Sequence, residues 1–536
     1  MTVRTSPALI LLLGLAGPAR ADVFIDSLPF DCSTGGETYI VTADLSQPSG
    51  TALSVTADGV TLLGADGGKT LSYASSGAGT AIQVETGVTG LTIYDLDLVQ
   101  GTVQDGSAGI SGGPVSSTVI RDCTVTVRSG EGAVATAIDI AVSTSETASS
   151  IQGCTINLSG ENRFYGLASE GSWNVHDNTF NVSDHAMTDC GAGDYPFVIS
   201  PGTNMIIQNN TFNIDGGKVN GIASWGADGV RVIGNTIRFA STCGGRTFLM
   251  NGGADGWEIA GNTVTVTSDT SEAQYVVRIR GIDGNSADNH VVHDNTIDAT
   301  GAAGEVAVVS LGDNSDMRGN RFHDNILRGT TSVVSFYGLS SDTDFYCNLI
   351  EHTGADGYAV DIRDRTPADA VFSHNEITTA RTDGMRVFTS VDNEANVTFC
   401  ASGIDGTVVA GGGSVAVTAE PCQDGPCTDD SCTDPGYRCC EACAAEPHPE
   451  LDDSCFGRVC CLACAVEDSE TVDVPDLPDL ADLPDLAEAV DGTEPADADA
   501  DATPDAAADG QDAAADTGEE REGGGGDRGC GCALVT

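Results

Sequence analysis

The chain has 536 residues and a formal net charge of −56, with only 23 Lys and Arg spread along it. Neutralising phosphates requires clustered basic side chains, so this balance argues against a nucleic-acid partner. Gly is abundant at 67 and aromatics make up 5%, which suits many short strands broken by turns and leaves little for long helices.

Residues 1–21 read as a secretory signal. Arg4 is basic, Ala8 to Gly17 is apolar, and Ala19-Arg20-Ala21 is a small-x-small cleavage site. The apolar run is too short for a permanent membrane anchor, so the mature chain as given is expected to have no transmembrane helix. No Cys follows the cleavage site to carry a lipid. Export also allows the 19 cysteines to be oxidised.

Residues 22–420 are governed by a repeat. Ser54 to Gly64, Ala81-Ile-Gln-Val84 and Leu91-Thr-Ile93 look like opening rungs. The pattern apolar-x-x-Asn-x-apolar then appears as Val175-His-Asp-Asn178-Thr-Phe180 and again around Asn210, Asn235, Asn262, Asn295, Asn320, Asn348 and Asn375. Cys123 and Cys154 stand at the Asn position in two earlier copies, and Cys400 is expected to close the series. The copies recur about every 23 to 33 residues, the mark of stacked units in a solenoid. A second apolar strand lies upstream of most Asn, as in Ala137 to Ile140, Phe197 to Ile199, Phe248 to Met250, Val276 to Ile279, Val306 to Val309, Val333 to Phe336 and Tyr358 to Ile362.

Identical positions on successive rungs stack at the strand spacing. A corner Asn pointing inward can adopt left-handed turn geometry and bond the Asn of the rungs on either side. That satisfies buried amides that would otherwise cost about 1–3 kcal/mol each. The fold expected is all-β, a solenoid of roughly twelve rungs and nearly 60 Å in length at about 4.8 Å per rung.

Residues 55–400, with this Asn-ladder signature, resemble the right-handed parallel β-helix repeat family of the pectate-lyase-like fold. That family includes pectate lyases, polygalacturonases, alginate-modifying enzymes, phage tailspikes and adhesins, so the resemblance implies the fold and leaves the chemistry open.

Residues 421–465 form a duplicated cysteine-dense segment. Asp429-Asp-Ser-Cys432 leads to Cys439-Cys440-Glu-Ala-Cys443, and Asp452-Asp-Ser-Cys455 leads to Cys460-Cys461-Leu-Ala-Cys464; Cys422 and Cys427 bring the total to ten. Disulfides of unknown pairing are expected here in preference to a zinc module. Residues 466–526 are rich in Asp, Ala and Pro and read as a disordered acidic linker. Residues 527–536 end in Gly-Cys-Gly-Cys532-Ala-Leu-Val-Thr. This resembles the start of a C-terminal sorting tag of myxobacterial surface proteins, without the apolar helix and basic cluster that complete the tag. The resemblance implies a secreted protein, or one on the outer surface of a Gram-negative bacterium.

In the family the sites lie on an outward strand face. The polygalacturonase pattern is weak here: Arg278-Ile-Arg280 approaches one element, but the helix has no Asp-Asp pair and no Gly-His-Gly. A lyase needs a base, usually Arg or Lys, and carboxylates that hold calcium against the developing enolate. Arg280, Asp361 and Arg363 are the catalytic candidates, and Arg278, Asp283, Arg246 and Arg386 the substrate-binding ones. Asp139, Asp194 and Asp364 fall at comparable offsets. The plainer reading makes all of these solvated charges and ion pairs, worth little each. His176, His293 and His374 sit beside the turn Asn, where a corner role is expected. Trp173, Trp225 and Trp257 suit either sugar stacking or packing, and Cys190 and Cys243 are a candidate disulfide.

The function expected is that of a monomeric exported protein that binds a polysaccharide or cell-surface glycan, or acts as a structural or adhesive rod at the cell surface. The alternative is a lyase or epimerase acting on an acidic polysaccharide. No metal ligand set stands out, and calcium is the one cofactor that the alternative would call for.

Overall fold

The computed structural model describes residues 22–418 except 103–104, 131–132, 144–148, 161–162, 186–195, 268–272, 283, 313–314, 316, 339, 363–367, 389–395, 401 and 412–413, and in addition 438–440 and 459–461. The signal segment, the acidic linker, the sorting-motif remnant, Cys190, Asp194, Asp283, Arg363 and Asp364 lie outside the described residues. The chain divides into units 1–467 and 468–536, and every described residue belongs to the first.

Each coil contributes one short strand to each of three sheets. Sheet A follows a turn, as in Asn174–His176; sheet C follows the ladder residue, as in Thr179–His185; sheet B comes next, as in Phe197–Ser200. Sheet A has 17 strands, sheet B 15 and sheet C 14. Successive coils pair in parallel, giving a β-solenoid of the right-handed type with no helix among the described residues. Short strands at the two ends, from Val23–Ile25 to Leu45–Gln47 and from Gly403–Ile404 to Ser414–Thr418, extend the sheets beyond the repeats read from sequence.

Period-two alternation fills the interior. The middle residue of each sheet-A strand points inward, and in register these residues run Val175, Ile207, Val232, Ile259, Val292, Phe322, Phe345, Phe372 and Phe399. The last four stack ring on ring at 4.4, 4.7 and 4.9 Å. One continuous cluster of buried side chains thus runs along the solenoid.

The Asn ladder runs along the corner between sheets A and C. Asn178 donates through its backbone N–H (2.9 Å) and its Nδ2 (3.0 Å) to Oδ1 of Asn210. The same double bond repeats from Asn210 to Asn235, Asn235 to Asn262 and Asn262 to Asn295. The next member is Asn325, which accepts from Asn295 and donates to Asn348, and Asn348 in turn donates to Asn375. The expectation that Asn320 occupies this rung is therefore corrected. Asn320 lies five residues early, where its Oδ1 accepts from the His290 N–H at 3.0 Å. Phe322, not Met317, is the inward residue three before the ladder Asn.

The left-handed residue is also not the Asn itself but the one before it. Asp122, Asp177, Asn209, Asp294, Asp324, Cys347 and His374 all have φ between 51 and 57°, and Gly153, Gly234 and Gly261 occupy the same place. His176, His293 and His323 each hold the following Asp through Nδ1 at 2.8, 2.6 and 2.7 Å.

Toward the N-terminus the thiols of Cys123 and Cys154 stand in for the amide, directed at the carbonyls of Ile93 (3.9 Å) and Ile120 (3.8 Å) one coil back. Both are buried and free. At the other end Ser402, not Cys400, closes the series: its hydroxyl accepts from the Asn375 N–H and donates to the Phe372 carbonyl. Cys400 pairs with Ser373, two residues too early. In the cysteine-dense segment, Arg438–Cys440 and Val459–Cys461, one strand from each copy of the duplication, form an antiparallel pair.

Candidate functional site

Sheet B has a local rule of its own. Its strands read out-in-in-out-in, as in Tyr275-Val-Val-Arg278-Ile and Tyr358-Ala-Val-Asp361-Ile. The first inward residue sits at a bend where space is short: a Cβ on Gly221 would stand 2.6 Å from the Thr247 carbonyl, and one on Gly109 2.6 Å from that of Ala137. The outward side chains on either side of the bend are consequently three residues apart, and outward side chains line up in columns down the face.

One column passes through Tyr165, Phe197, Asn220, Arg246 and Tyr275 on successive coils. The next carries Leu249, Arg278, Ser310, Ser335, Asp361 and Arg386. A third starts Trp225, Asn251, Arg280. Arg246, Arg278, Arg280, Asp361 and Arg386, and further toward the N-terminus Asp139, therefore share this one face. The strands Gly245–Asn251, Gln274–Arg280, Val306–Leu311 and Ser332–Phe336 bring three guanidinium groups and no carboxylate.

The contacts divide the face into two parts. On the C-terminal side Arg386 grips Asp361 with two bonds, Nε to Oδ1 at 2.7 Å and NH2 to Oδ2 at 2.8 Å. Asp361 is fully buried, and the Arg386 guanidinium lies 4.3 Å from the Tyr358 ring. Both Asp361 oxygens are thus engaged. The catalytic role expected for this carboxylate does not fit its geometry, since neither oxygen is presented to calcium or to a sugar. Arg280, expected to act with it, lies in another column three coils away, roughly 14 Å at the strand spacing. Arg386, expected to bind substrate, is instead the partner of Asp361. Asp139 lies several coils toward the N-terminus; partial desolvation of its carboxyl at the sheet face, and then the Glu170 charge, push it above the usual range.

The central part is different. Tyr165 and Phe197 stack at 5.5 Å, and Phe197 meets Trp225 edge-on at 5.2 Å. Trp225 is 56% exposed, the largest side chain the solenoid offers to solvent. Trp173 and Trp257, by contrast, are core residues whose indole N–H groups donate to the carbonyls of Ile140 (3.1 Å) and Ala227 (2.6 Å). Two coils beyond Trp225, the Arg278 guanidinium lies 4.0 Å over the Tyr275 ring. Among these groups are buried polar atoms with no partner: both amide atoms of Asn220, Oδ1 of Asn251 and Oγ of Ser335. A buried amide left unbonded is costly, and such groups are commonly satisfied by water or by a ligand.

Sequence reasoning found the arginines of this face but not Tyr165, Phe197, Asn220 or Tyr275. The available signal was the spacing Tyr275-x-x-Arg278 and Tyr358-x-x-Asp361, which only makes sense once the bend is known. Among the described residues no group of three His, Cys, Asp or Glu side chains is placed to hold a metal ion, and no helix is long and apolar enough to cross a membrane.

No protein-family model matches the chain, and no curated protein matches its sequence. Among solved structures it is similar to a mannuronic acid specific polysaccharide family 6 lyase from human gut microbiota. That alignment is 11% identical, covers 72% of this chain and 91% of the other, and has a TM-score of 0.37. The Dettilon tailspike protein aligns at 11% identity over 71% of this chain and 62% of its own, with a TM-score of 0.32. A PL6 alginate lyase in complex with a trisaccharide aligns at 9% identity over 75% and 89%, with a TM-score of 0.23.

Proposed function

We propose that this is an exported glycan-binding rod, held at or released from an outer cell surface, that takes an acidic polysaccharide along the central part of sheet B. The observation that carries the reading is the exposed Trp225, braced by Phe197 and Tyr165, next to the unbonded amide of Asn220. An aromatic face suits the apolar side of a sugar ring. Neighbouring amide and guanidinium groups suit hydroxyls and carboxylates, and charge-assisted bonds from Arg are among the stronger ones. Strand-borne side chains repeating once per coil suit an extended polymer better than a compact ligand.

The test is retention of the full chain on a panel of polyuronates and neutral glycans, with and without calcium. Trp225→Ala is expected to weaken polyuronate binding by at least tenfold, about 1.4 kcal/mol. Equal binding by the variant, or no retention on any glycan by folded protein, would remove this face from the function.

A second reading, a lyase, is favoured by the Arg278 guanidinium over Tyr275, with Arg280 on the same strand. A cation there could neutralise a uronate carboxylate while a neighbouring base removes the adjacent proton. It requires unsaturated products from the same panel, lost on Arg278→Ala with the fold intact. Binding without such products leaves the rod reading.

A further inference from the structure

Cys123 and Cys154 occupy the ladder position on neighbouring coils. Arg121 pairs in register with Gln152 and Thr124 with Thr155, so the two cysteines between them stand one directly above the other. At the strand spacing their Cα atoms are about 4.8 Å apart, inside the window of about 4.4 to 6.8 Å that a disulfide accepts. Both side chains are buried in the interior, and both thiols are free. Cys32 is the third free thiol among the described residues, but the position paired with it on the next coil is Val55.

The hydrogen bonds around the pair survive a change of oxidation state. The Leu96 N–H bonds the Cys123 sulfur and the Cys123 N–H bonds the Cys154 sulfur, as the N–H of Asn178 bonds the Oδ1 of Asn210. A disulfide sulfur keeps lone pairs for both. Oxidation removes only the S–H groups, which are weak donors. That of Cys123 is directed at the carbonyls of Arg121 (3.2 Å) and Ile93 (3.9 Å), and that of Cys154 at those of Gln152 (3.4 Å) and Ile120 (3.8 Å).

The two thiols are not equivalent. Cys123 donates its S–H toward Cys154, and this bond holds Cys154 below the ordinary thiol range. The same bond, with burial, pushes Cys123 well above it. Cys154 is therefore the attacking sulfur and Cys123 the resolving one.

We propose that Cys123 and Cys154 are a dithiol pair that oxidises to a disulfide, stapling two neighbouring coils through the interior of the solenoid. The Cys154 sulfur attacks one sulfur of a small disulfide oxidant and releases the first thiol. Cys123 then attacks the Cys154 sulfur of the mixed disulfide and releases the second. Two protons and two electrons leave the pair, and the oxidant departs as two thiols. Both sulfurs are buried, so the step takes place while these coils are open. Once formed, the link closes the chain between residues 123 and 154 and opposes their separation.

The experiment incubates the full chain with oxidised glutathione, at a urea concentration where the Cys123 amide exchanges with deuterium. Remaining thiols are alkylated in denaturant, and the protein is cut without reduction by trypsin, which separates the pair at Arg128. Mass spectrometry is expected to find the Cys123 peptide joined to the Cys154 peptide, with Cys32 alkylated or carrying one glutathione. After urea is removed, exchange at the amides of residues 123 and 154 should be slower than in the reduced chain by about tenfold or more. Cys154→Ser keeps a side chain that donates and accepts; it should give no link, and its exchange should not respond to the oxidant. Alkylation of both thiols, glutathione on either without a link, or a link from either to a different cysteine would each overturn the proposal. So would a link that leaves the exchange unchanged.

Discussion

Asn262→Ala puts a price on one rung of the ladder. Asn262 Oδ1 accepts from the Asn235 N–H and from its Nδ2, both at 2.9 Å, and its own Nδ2 donates to the Val232 carbonyl (2.8 Å) and to Asn295 Oδ1 (2.9 Å). Alanine takes the partner of the Asn235 N–H and one acceptor from the Asn235 Nδ2, which keeps the Ile207 and Ile233 carbonyls; the Val232 carbonyl loses its side-chain bond, and Asn295 keeps its bond from the residue 262 backbone. One orphaned buried donor at about 1–3 kcal/mol, with two further buried groups weakened, gives a loss of about 2–4 kcal/mol. Asn213 supplies the control. It belongs to a second amide row on sheet C, donating to Asn181 Oδ1 at 2.9 Å, but it is exposed, so Asn213→Ala should cost about 0.5 kcal/mol or less. Denaturant midpoints followed by circular dichroism compare the two. Because a solenoid can open in stretches, hydrogen exchange at the residue 235 amide gives the local reading. Equal midpoints for the two variants, with unchanged protection at residue 235, would refute the reasoning.

Three further outcomes are expected. Glu258 is held down to about 2, by its bond from His293 and despite burial, with Arg231 adding to the effect. Burial lowers His293, but Asp294 and Glu258 outweigh it and raise the ring to about 9. The raised His contributes stability in full below its unfolded value and loses it as pH climbs through about 9; the depressed Glu contributes above its unfolded value and loses it as pH falls toward 2. The melting-temperature gap between parent and Glu258→Gln should therefore shrink between pH 7 and pH 9.5, and a constant gap would sink the pairing. Breaking the buried Asp361–Arg386 pair by Arg386→Met should cost about 3–5 kcal/mol in denaturant melts, and adding Asp361→Leu should recover a good part of it. Gly221→Val forces a side chain against the Thr247 carbonyl and should cost about 1–3 kcal/mol, whereas a melt like the parent's would show that the bend can give way.

The repeat was legible because the ladder constrains residue type as well as spacing: only a side chain that donates and accepts can stand between two others like it. It misled where one coil offered two asparagines five residues apart. His-Asp-Asn recurs at 176–178, 293–295 and 323–325, and the αL residue with its His brace marks Asn325 as the ladder member. The sheet-B face was half legible. Arginine is conspicuous in an acidic chain, but period-two reasoning cannot find outward residues three apart. The plain ion-pair reading suits Asp361 and Arg386 better than the catalytic one, because pairing across coils depends on register, which sequence spacing alone left undetermined.

The Asn ladder has one more property. Each described step runs the same way: the N–H and Nδ2 of one coil donate to the Oδ1 of the next, from the Cys154 N–H bonding Asn178 to the Asn375 N–H bonding Ser402. The side-chain amide dipoles therefore add head to tail, as peptide dipoles do in an α-helix, and each bond polarises the one after it. The ladder gives the rod an electrical direction, with its positive pole toward the C-terminal coils. A whole coil can be gained or lost without disturbing that order, but an asparagine set in backwards would face two donors or two acceptors. Growth by complete coils, all wired in one sense, is the only kind of lengthening that such a column tolerates.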